Sequence, residues 1–168
     1  ARSEVVEQKM REVWRSSLEI AGVSYALCRR YTQLKPDQAA LGGLVHQIGV
    51  LPILTYAEDH YELLSDPVSL NHVIDRIHPL LGDKLLRVWE FPERLVELPG
   101  RYQDFKRDST QIDYVDLVQV ANLHCRKGTD HPFARIDLAS VPAFRKLGID
   151  PENRALCVDL EESRSMFY

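Results

Sequence analysis

Apolar residues recur at helical spacing along most of the chain. Between Glu4 and about Tyr31 no proline occurs, and small or apolar positions form two strips along one long predicted helix. One strip is Met10, Trp14, Ser17, Ala21 and Cys28, and the other is Val13, Ile20, Val23 and Leu27. Two strips need two sets of packing partners. This helix is therefore predicted to be covered on both sides, and a bare strip would favour self-association.

Prolines divide the middle of the chain into shorter predicted helices. Pro36 suits the first turn of a second helix, which Gly49 and Pro52 are predicted to interrupt or bend. The passage from about residue 58 to residue 77 is predicted to be the least regular part, although Asp66-Pro67 is typical of a helix cap followed by a first-turn proline.

The next predicted helix begins at His78-Pro79 and ends at Phe91-Pro92. Its packed side is predicted to carry Leu80, Leu81, Leu85 and Leu86. A short helix then runs through Leu98 and is predicted to stop at Pro99-Gly100.

The most regular later segment runs from Ile112 to about Arg126. It is predicted to be an amphipathic helix with Asn122 on its inward face. Pro142 and Pro151 mark two short terminal helices. No stretch alternates as a strand would, so the sequence predicts an all-α fold.

Composition limits the classes of function. A chain of 168 residues with 45% hydrophobic and 27% charged residues suits one domain spanning residues 1–168, with residues 129–168 as closing helices. The net charge of −4 argues against a nucleic-acid partner. The longest apolar stretch, residues 42–54, is too short for a membrane span, so no membrane is expected. Cys28, Cys125 and Cys157 form no Cys-x-x-Cys motif, which favours the cytoplasm.

The dipeptide His46-Gln47 stands where a metal phosphohydrolase would need His-Asp. Adjacent imidazole and carboxylate groups on a helix can hold a divalent metal, which acidifies a bound water. An amide in place of the carboxylate keeps the shape of the side chain but removes the charge that holds the cation. Nucleophile elbows, phosphate-binding glycine loops and His-Glu-x-x-His motifs are absent from the sequence.

Three blocks together resemble a known family, the HDOD domain. They are the segment from Trp14 to Leu18, the segment from Leu41 to Gly49, and the segment from His78 to Pro92 with its Gly82, leucine pair and Trp89. The resemblance covers roughly residues 13–128. It implies an all-α, HD-like domain from the non-catalytic branch of the HD metal-phosphohydrolase superfamily, found in bacterial signalling proteins. The usual N-terminal helical segment is not evident, so the chain resembles the C-terminal, HD-like half of such a domain and is expected to be a fragment.

The resemblance also maps the superfamily's metal ligands onto this chain. Its histidine positions fall at Ser16, His46, His78, Tyr102 and Gln103, and its two carboxylate positions fall at Gln47 and Asn122. Two imidazoles and two amides supply no negative charge, whereas metal sites in proteins use carboxylates or at least three good donors. We therefore expect no metal, no cofactor and no catalytic residue, and a vestigial pocket at these seven positions.

For the two retained histidines the sequence leaves alternatives open. His46 is interpreted as a buried histidine that is hydrogen-bonded to Gln47, Asn122 or the backbone. His78 suits either a helix cap or the lining of the pocket.

These expectations favour a non-catalytic bacterial signal-transduction or scaffold module. Its partners would be other signalling proteins or other domains of the same polypeptide, with self-association as a further possibility. One alternative is a metal-dependent phosphohydrolase with an altered ligand set. Another is a small-ligand sensor that uses the vestigial pocket.

Overall fold

The computed structural model describes residues 3–168. Within them the chain forms helices and no strand, as the sequence predicts. The α-helices are α1 (Glu4–Tyr31), α2 (Pro36–Val45), α3 (Val50–Glu58), α4 (Tyr61–Leu64), α5 (Pro67–Val88), α6 (Glu93–Val96), α7 (Leu98–Arg101), α8 (Tyr114–Arg126), α9 (Pro142–Leu147) and α10 (Arg154–Ser163). Two short 3-10 helices, Pro132–Arg135 and Leu138–Ser140, lie between α8 and α9.

Helix α1 has well-matched ends. The Ser3 hydroxyl accepts a hydrogen bond from the amide of Val6 at 3.2 Å, which satisfies one of the free donors of the first turn. Acidic residues occupy the first turn, and Arg29 and Arg30 occupy the last, so both ends complement the helix dipole. At the C-terminus, the amide of Thr32 donates to the carbonyl of Cys28.

The two strips of α1 are covered differently along its length. In the C-terminal half, residues such as Ile20, Ala21 and Leu27 are fully buried because α2, α8 and α10 of the same chain pack around them. An uncovered apolar strip in this half, which the sequence analysis allowed for, is therefore contradicted. The N-terminal half keeps an apolar surface, because Trp14 is 57% and Val5 is 46% exposed.

Helix α5 corrects the prediction for residues 58–79. Asp66 caps it and Pro67 lies in its first turn, as predicted, but the helix continues through His78-Pro79 to Val88. His78 is therefore a mid-helix residue and not a cap. Pro79 lacks an N–H and removes one internal hydrogen bond, yet the helix continues because this part of its backbone packs closely against Gly49. Leu80 was predicted to pack inward and is 64% exposed.

Two other local predictions are also wrong. Pro99-Gly100 does not stop a helix but lies within α7, since proline is tolerated in a first helical turn. Helix α8 is not amphipathic, because its residues from Tyr114 to Leu123 are all buried. Its inward placement of Asn122 is confirmed, at 1% exposure.

Glycines at helix crossings let the backbones of α1, α2 and α5 approach closely near Ser16, His46 and His78. A Cβ added to Gly43 would lie 2.8 Å from the Cα of Ala21, so α1 and α2 cross here in near contact. A Cβ added to Gly49 would lie 2.1 Å from the carbonyl oxygen of His78. These approaches hold the turn at residues 46–49 against both α1 and the middle of α5.

Most of the core is one cluster around α8, to which α1, α2, α9 and α10 contribute. The stretch Pro36–Glu58 is long and apolar enough to cross a membrane by length and composition, and half of its apolar window is buried inside the domain. It comprises α2, a turn and α3. Core helices of globular domains pass the same test, so this stretch is weak evidence for a membrane.

Candidate functional site

His46 is held in one neutral tautomer. Its side chain is fully buried, and burial lowers the pKa of the imidazole to about 3. Its Nδ1 lies 2.5 Å from the carbonyl oxygen of Gly43, to which it can only donate. The proton of the neutral ring is therefore on Nδ1, and Nε2 carries the free lone pair.

That lone pair already has two amide donors. Nε2 of Gln47 lies 3.1 Å and Nδ2 of Asn122 lies 3.3 Å from Nε2 of His46. The Gln47 amide also donates to the hydroxyl of Ser16 at 3.3 Å, and the Asn122 amide donates to the carbonyl of Val118 at 3.0 Å. The predicted hydrogen bonding of His46 is confirmed for Gln47, Asn122 and the backbone alike.

His78 forms the second half of the arrangement. The hydroxyl of Tyr102 and the side-chain amide nitrogen of Gln103 each lie 3.3 Å from its Nε2. Burial lowers the pKa of His78 to about 4 and raises the pKa of Tyr102, so both are neutral near pH 7. The rings of Tyr102 and His46 pack edge to face, with a distance of 4.7 Å between their centroids.

The seven residues that the sequence singled out are thus connected by contacts, and we call them the histidine–amide cluster. They are Ser16, His46, Gln47, His78, Tyr102, Gln103 and Asn122. Five of them line a cavity of about 470 Å³. His46 lies beneath this cavity, and Ser16 reaches it only through Gln47.

The cavity has lining residues that the sequence interpretation missed. Asp75 lies on α5, three residues before His78, and Arg126 lies on α8, four residues after Asn122. Both spacings place residues on one helix face, so this signal was available in the sequence. His131 caps the first 3-10 helix and Phe133 lies within it, and residue spacing could not have assigned this segment to the site.

The donor set does not fit a divalent metal. The Nε2 of His46, which would have to ligate, accepts amide hydrogen bonds, and its Nδ1 is turned to the backbone. Asp75 is the sole carboxylate among the residues that line the cavity. Nowhere in residues 3–168 do three His, Cys, Asp or Glu side chains gather as a metal site requires.

Comparison with solved structures finds a protein of similar fold. A protein of Shewanella amazonensis SB2B, provisionally named a metal-dependent phosphohydrolase, has a similar crystal structure, with a TM-score of 0.79 and 25% sequence identity. The match covers 99% of this chain and 62% of that chain, so the present chain spans less than two thirds of that protein. Among curated proteins, no match was found.

The family comparison is the more specific finding. The family model described as the HDOD domain matches residues 2–104. This range begins and ends earlier than the resemblance seen in the sequence, which covers roughly residues 13–128. It therefore includes His46, Gln47 and His78 but not Asn122. Since the model matches more than half of the sequence, the chain belongs to the HDOD domain family.

Proposed function

We propose that this chain is a non-catalytic signal-transduction module of a bacterial cytoplasmic protein. It acts through contacts with other signalling proteins or with other domains of its own polypeptide. The observation that carries the proposal is the pair of amides at the Nε2 of His46, since they take the lone pair that an HD-type metal would need. A neutral, hydrogen-bonded cluster has no means of lowering the pKa of a water.

Metal content and turnover test this proposal together. Gentle purification followed by elemental analysis should find no stoichiometric zinc, iron or manganese. With added Mg²⁺ or Mn²⁺, the chain should show no phosphatase or phosphodiesterase activity on nucleotides and cyclic dinucleotides. His60→Ala is a matched control for His46→Ala, because His60 is a partly exposed histidine that stacks on Tyr56.

The opposite result is equally specific. About one equivalent of metal, or turnover above background, that disappears in His46→Ala and persists in His60→Ala would establish a phosphohydrolase with an altered ligand set. That outcome would overturn the proposed function.

Ligand sensing is a second candidate function. The observation that favours it is the cavity itself, whose volume of about 470 Å³ lies in the range of small-molecule sites. A ligand bound there would contact α3, α5 and α8 at once. Binding could thereby change how the module meets its partner. The expected readout is a ligand-dependent rise in melting temperature without turnover.

The proposed contacts with partners include self-association. The exposed Trp14 and Val5 on the N-terminal half of α1 are the support for it. Sedimentation of the wild type and of Trp14→Gln would show whether this surface joins two copies.

A further inference from the structure

Arg126 lines the cavity with a half-buried guanidinium that has no counter-ion among residues 3–168. Its Nε is buried and makes no hydrogen bond. Among residues 3–168, no carboxylate forms an ion pair with Arg126, and Asp75 lies on the same cavity at an exposed position. A guanidinium stays protonated at any physiological pH, so a buried N–H of this group without an acceptor is energetically costly.

His78 also lines this cavity and has a second buried donor. Its Nε2 faces the amide nitrogen of Gln103, which can only donate, so Nε2 must be the acceptor of the neutral ring. The proton is therefore on Nδ1, and Nδ1 is buried without a hydrogen-bond partner. Two residues that line one cavity thus carry buried donors that no acceptor of the chain satisfies, which indicates that a matching ligand would be an acceptor.

The remaining lining residues show what kind of acceptor would fit. Tyr102, Phe133, Val50 and Ile74 give the cavity an aromatic and aliphatic wall. Burial and the nearby charge of Arg126 lower the pKa of His131 to about 4, so His131 adds no charge of its own near pH 7. Arginine pairs with carboxylate and phosphate oxygens through two parallel hydrogen bonds.

We propose that this cavity binds a small organic oxyanion, a carboxylate or a phosphate monoester, with its charged end on Arg126 and its apolar part against Tyr102 and Phe133. The inference deepens ligand sensing, the second candidate function, and rests on it. It requires no metal and no reaction. Asp75 at the exposed side favours ligands whose far end is neutral or basic.

Binding can be measured with simple compounds that share this chemistry. Benzoate and phenyl phosphate are the anionic probes, benzamide is the neutral counterpart of benzoate, and inorganic phosphate lacks the apolar part. Titrations are followed by the NMR resonance of the Arg126 Nε–H group and by melting temperature. EDTA is present throughout, so that a bound metal cannot hold the anion.

We expect benzoate or phenyl phosphate to bind saturably, to shift the Arg126 Nε–H resonance and to raise the melting temperature. Arg126→Gln should weaken this binding by about tenfold or more, because a charge-assisted hydrogen bond is lost. Arg126→Lys, which keeps the charge but not the fork, should weaken it less. Arg145→Gln is the matched control, since Arg145 is an exposed arginine paired with Asp108, and it should bind as the wild type does.

Three outcomes would overturn the proposal. They are the absence of saturable binding by either anionic probe, equal binding by the wild type and Arg126→Gln, and binding of inorganic phosphate with no gain from the aromatic ring. Failure of the proposed function would appear separately, as metal content or turnover in the absence of EDTA.

Discussion

Helix α8 carries a buried polar cluster at each end, and the two are built from opposite chemistry. At the N-terminal end lies a charged cluster of Arg107, Asp113, Asp116 and Lys146. The carboxylate of Asp116 is completely buried, 2.8 Å from the Nζ of Lys146, and Arg107 hydrogen-bonds to Asp113. Each buried carboxylate of this cluster has a cation from the chain itself.

At the other end of α8, the histidine–amide cluster contains no ionised group. Asn122 stands where the HD resemblance places a carboxylate, and it donates to His46 at 3.3 Å. Both histidines are neutral, because burial lowers their pKa values to about 3 and 4.

The comparison shows that this fold buries carboxylates where it also supplies cations. The amides at positions 47 and 122 are neutral and need no cation beside them. Arg126 departs from this rule, since it is a cation without a carboxylate, and it marks the place where a ligand could complete the pairing. Four measurements would break or sharpen this contrast.

The largest effect should follow loss of the cation in the charged cluster. Lys146→Met leaves the buried Asp116 without its closest partner and should lower the free energy of unfolding by about 3 to 5 kcal/mol. Urea denaturation measures this. The adjacent exposed Arg145→Met should cost at most about 1 kcal/mol. Adding Asp116→Asn to Lys146→Met should recover part of the lost stability. If Lys146→Met alone costs no more than Arg145→Met, the contrast between the charged cluster and the histidine–amide cluster is wrong.

Introducing the charges that the HD resemblance places in this cluster tests its neutral character. The triple variant Ser16→His, Gln47→Asp, Asn122→Asp introduces two carboxylates near a single cation, Arg126. Without metal it should be about 3 kcal/mol less stable than the wild type. Mn²⁺ should bind to the triple variant in calorimetric titration and restore stability, although hydrolysis need not follow because outer-shell orientation is missing.

The wild type, treated in the same way, should show no response to Mn²⁺. If the metal-free triple variant is as stable as the wild type, or if Mn²⁺ leaves it unchanged, the cluster is not an emptied metal site.

Acid should destabilise the neutral cluster through its histidines. The pKa of His78 falls from 6.5 to about 4 on folding, so below pH 6.5 the unfolded chain binds the proton first and stability is lost as the pH falls towards 4. Between pH 7 and pH 5 the cost is about 2 kcal/mol for each such histidine. His78→Gln should remove that share of the pH dependence in urea denaturation.

His72→Gln serves as the comparison for that experiment, since His72 lies exposed on the same helix. It should keep the full pH dependence of the wild type. An unchanged pH dependence in His78→Gln would show that His78 is not buried in its neutral form.

The smallest effect should come from removing the unpaired cation. Arg126→Gln should change the free energy of unfolding by less than about 1 kcal/mol and could even stabilise the ligand-free chain, because no ion pair is lost. Arg107→Gln, which breaks the contacts to Asp113 and Asp116, should cost several times more in the same urea measurement. Similar losses for the two variants would mean that Arg126 has a structural partner.

Much of this protein follows from the sequence because helical spacing and cap chemistry are local. The all-α fold, the bounds of α1, the cap at Asp66 and the inward face of Asn122 each depend on residues within a few turns of one another. The amides at positions 47 and 122 can also be read from the sequence, and that they replace carboxylates is what the family resemblance implies.

Only the tertiary structure decided how those residues meet. His78-Pro79 looks like a helix start in sequence, yet packing of α5 against Gly49, the residue before α3, keeps that helix continuous and buries His78. Spacing also cannot show that the Arg126 Nε lacks a partner. A hydrogen bond requires two groups from distant segments to come within about 3 Å, and only long-range packing sets that distance.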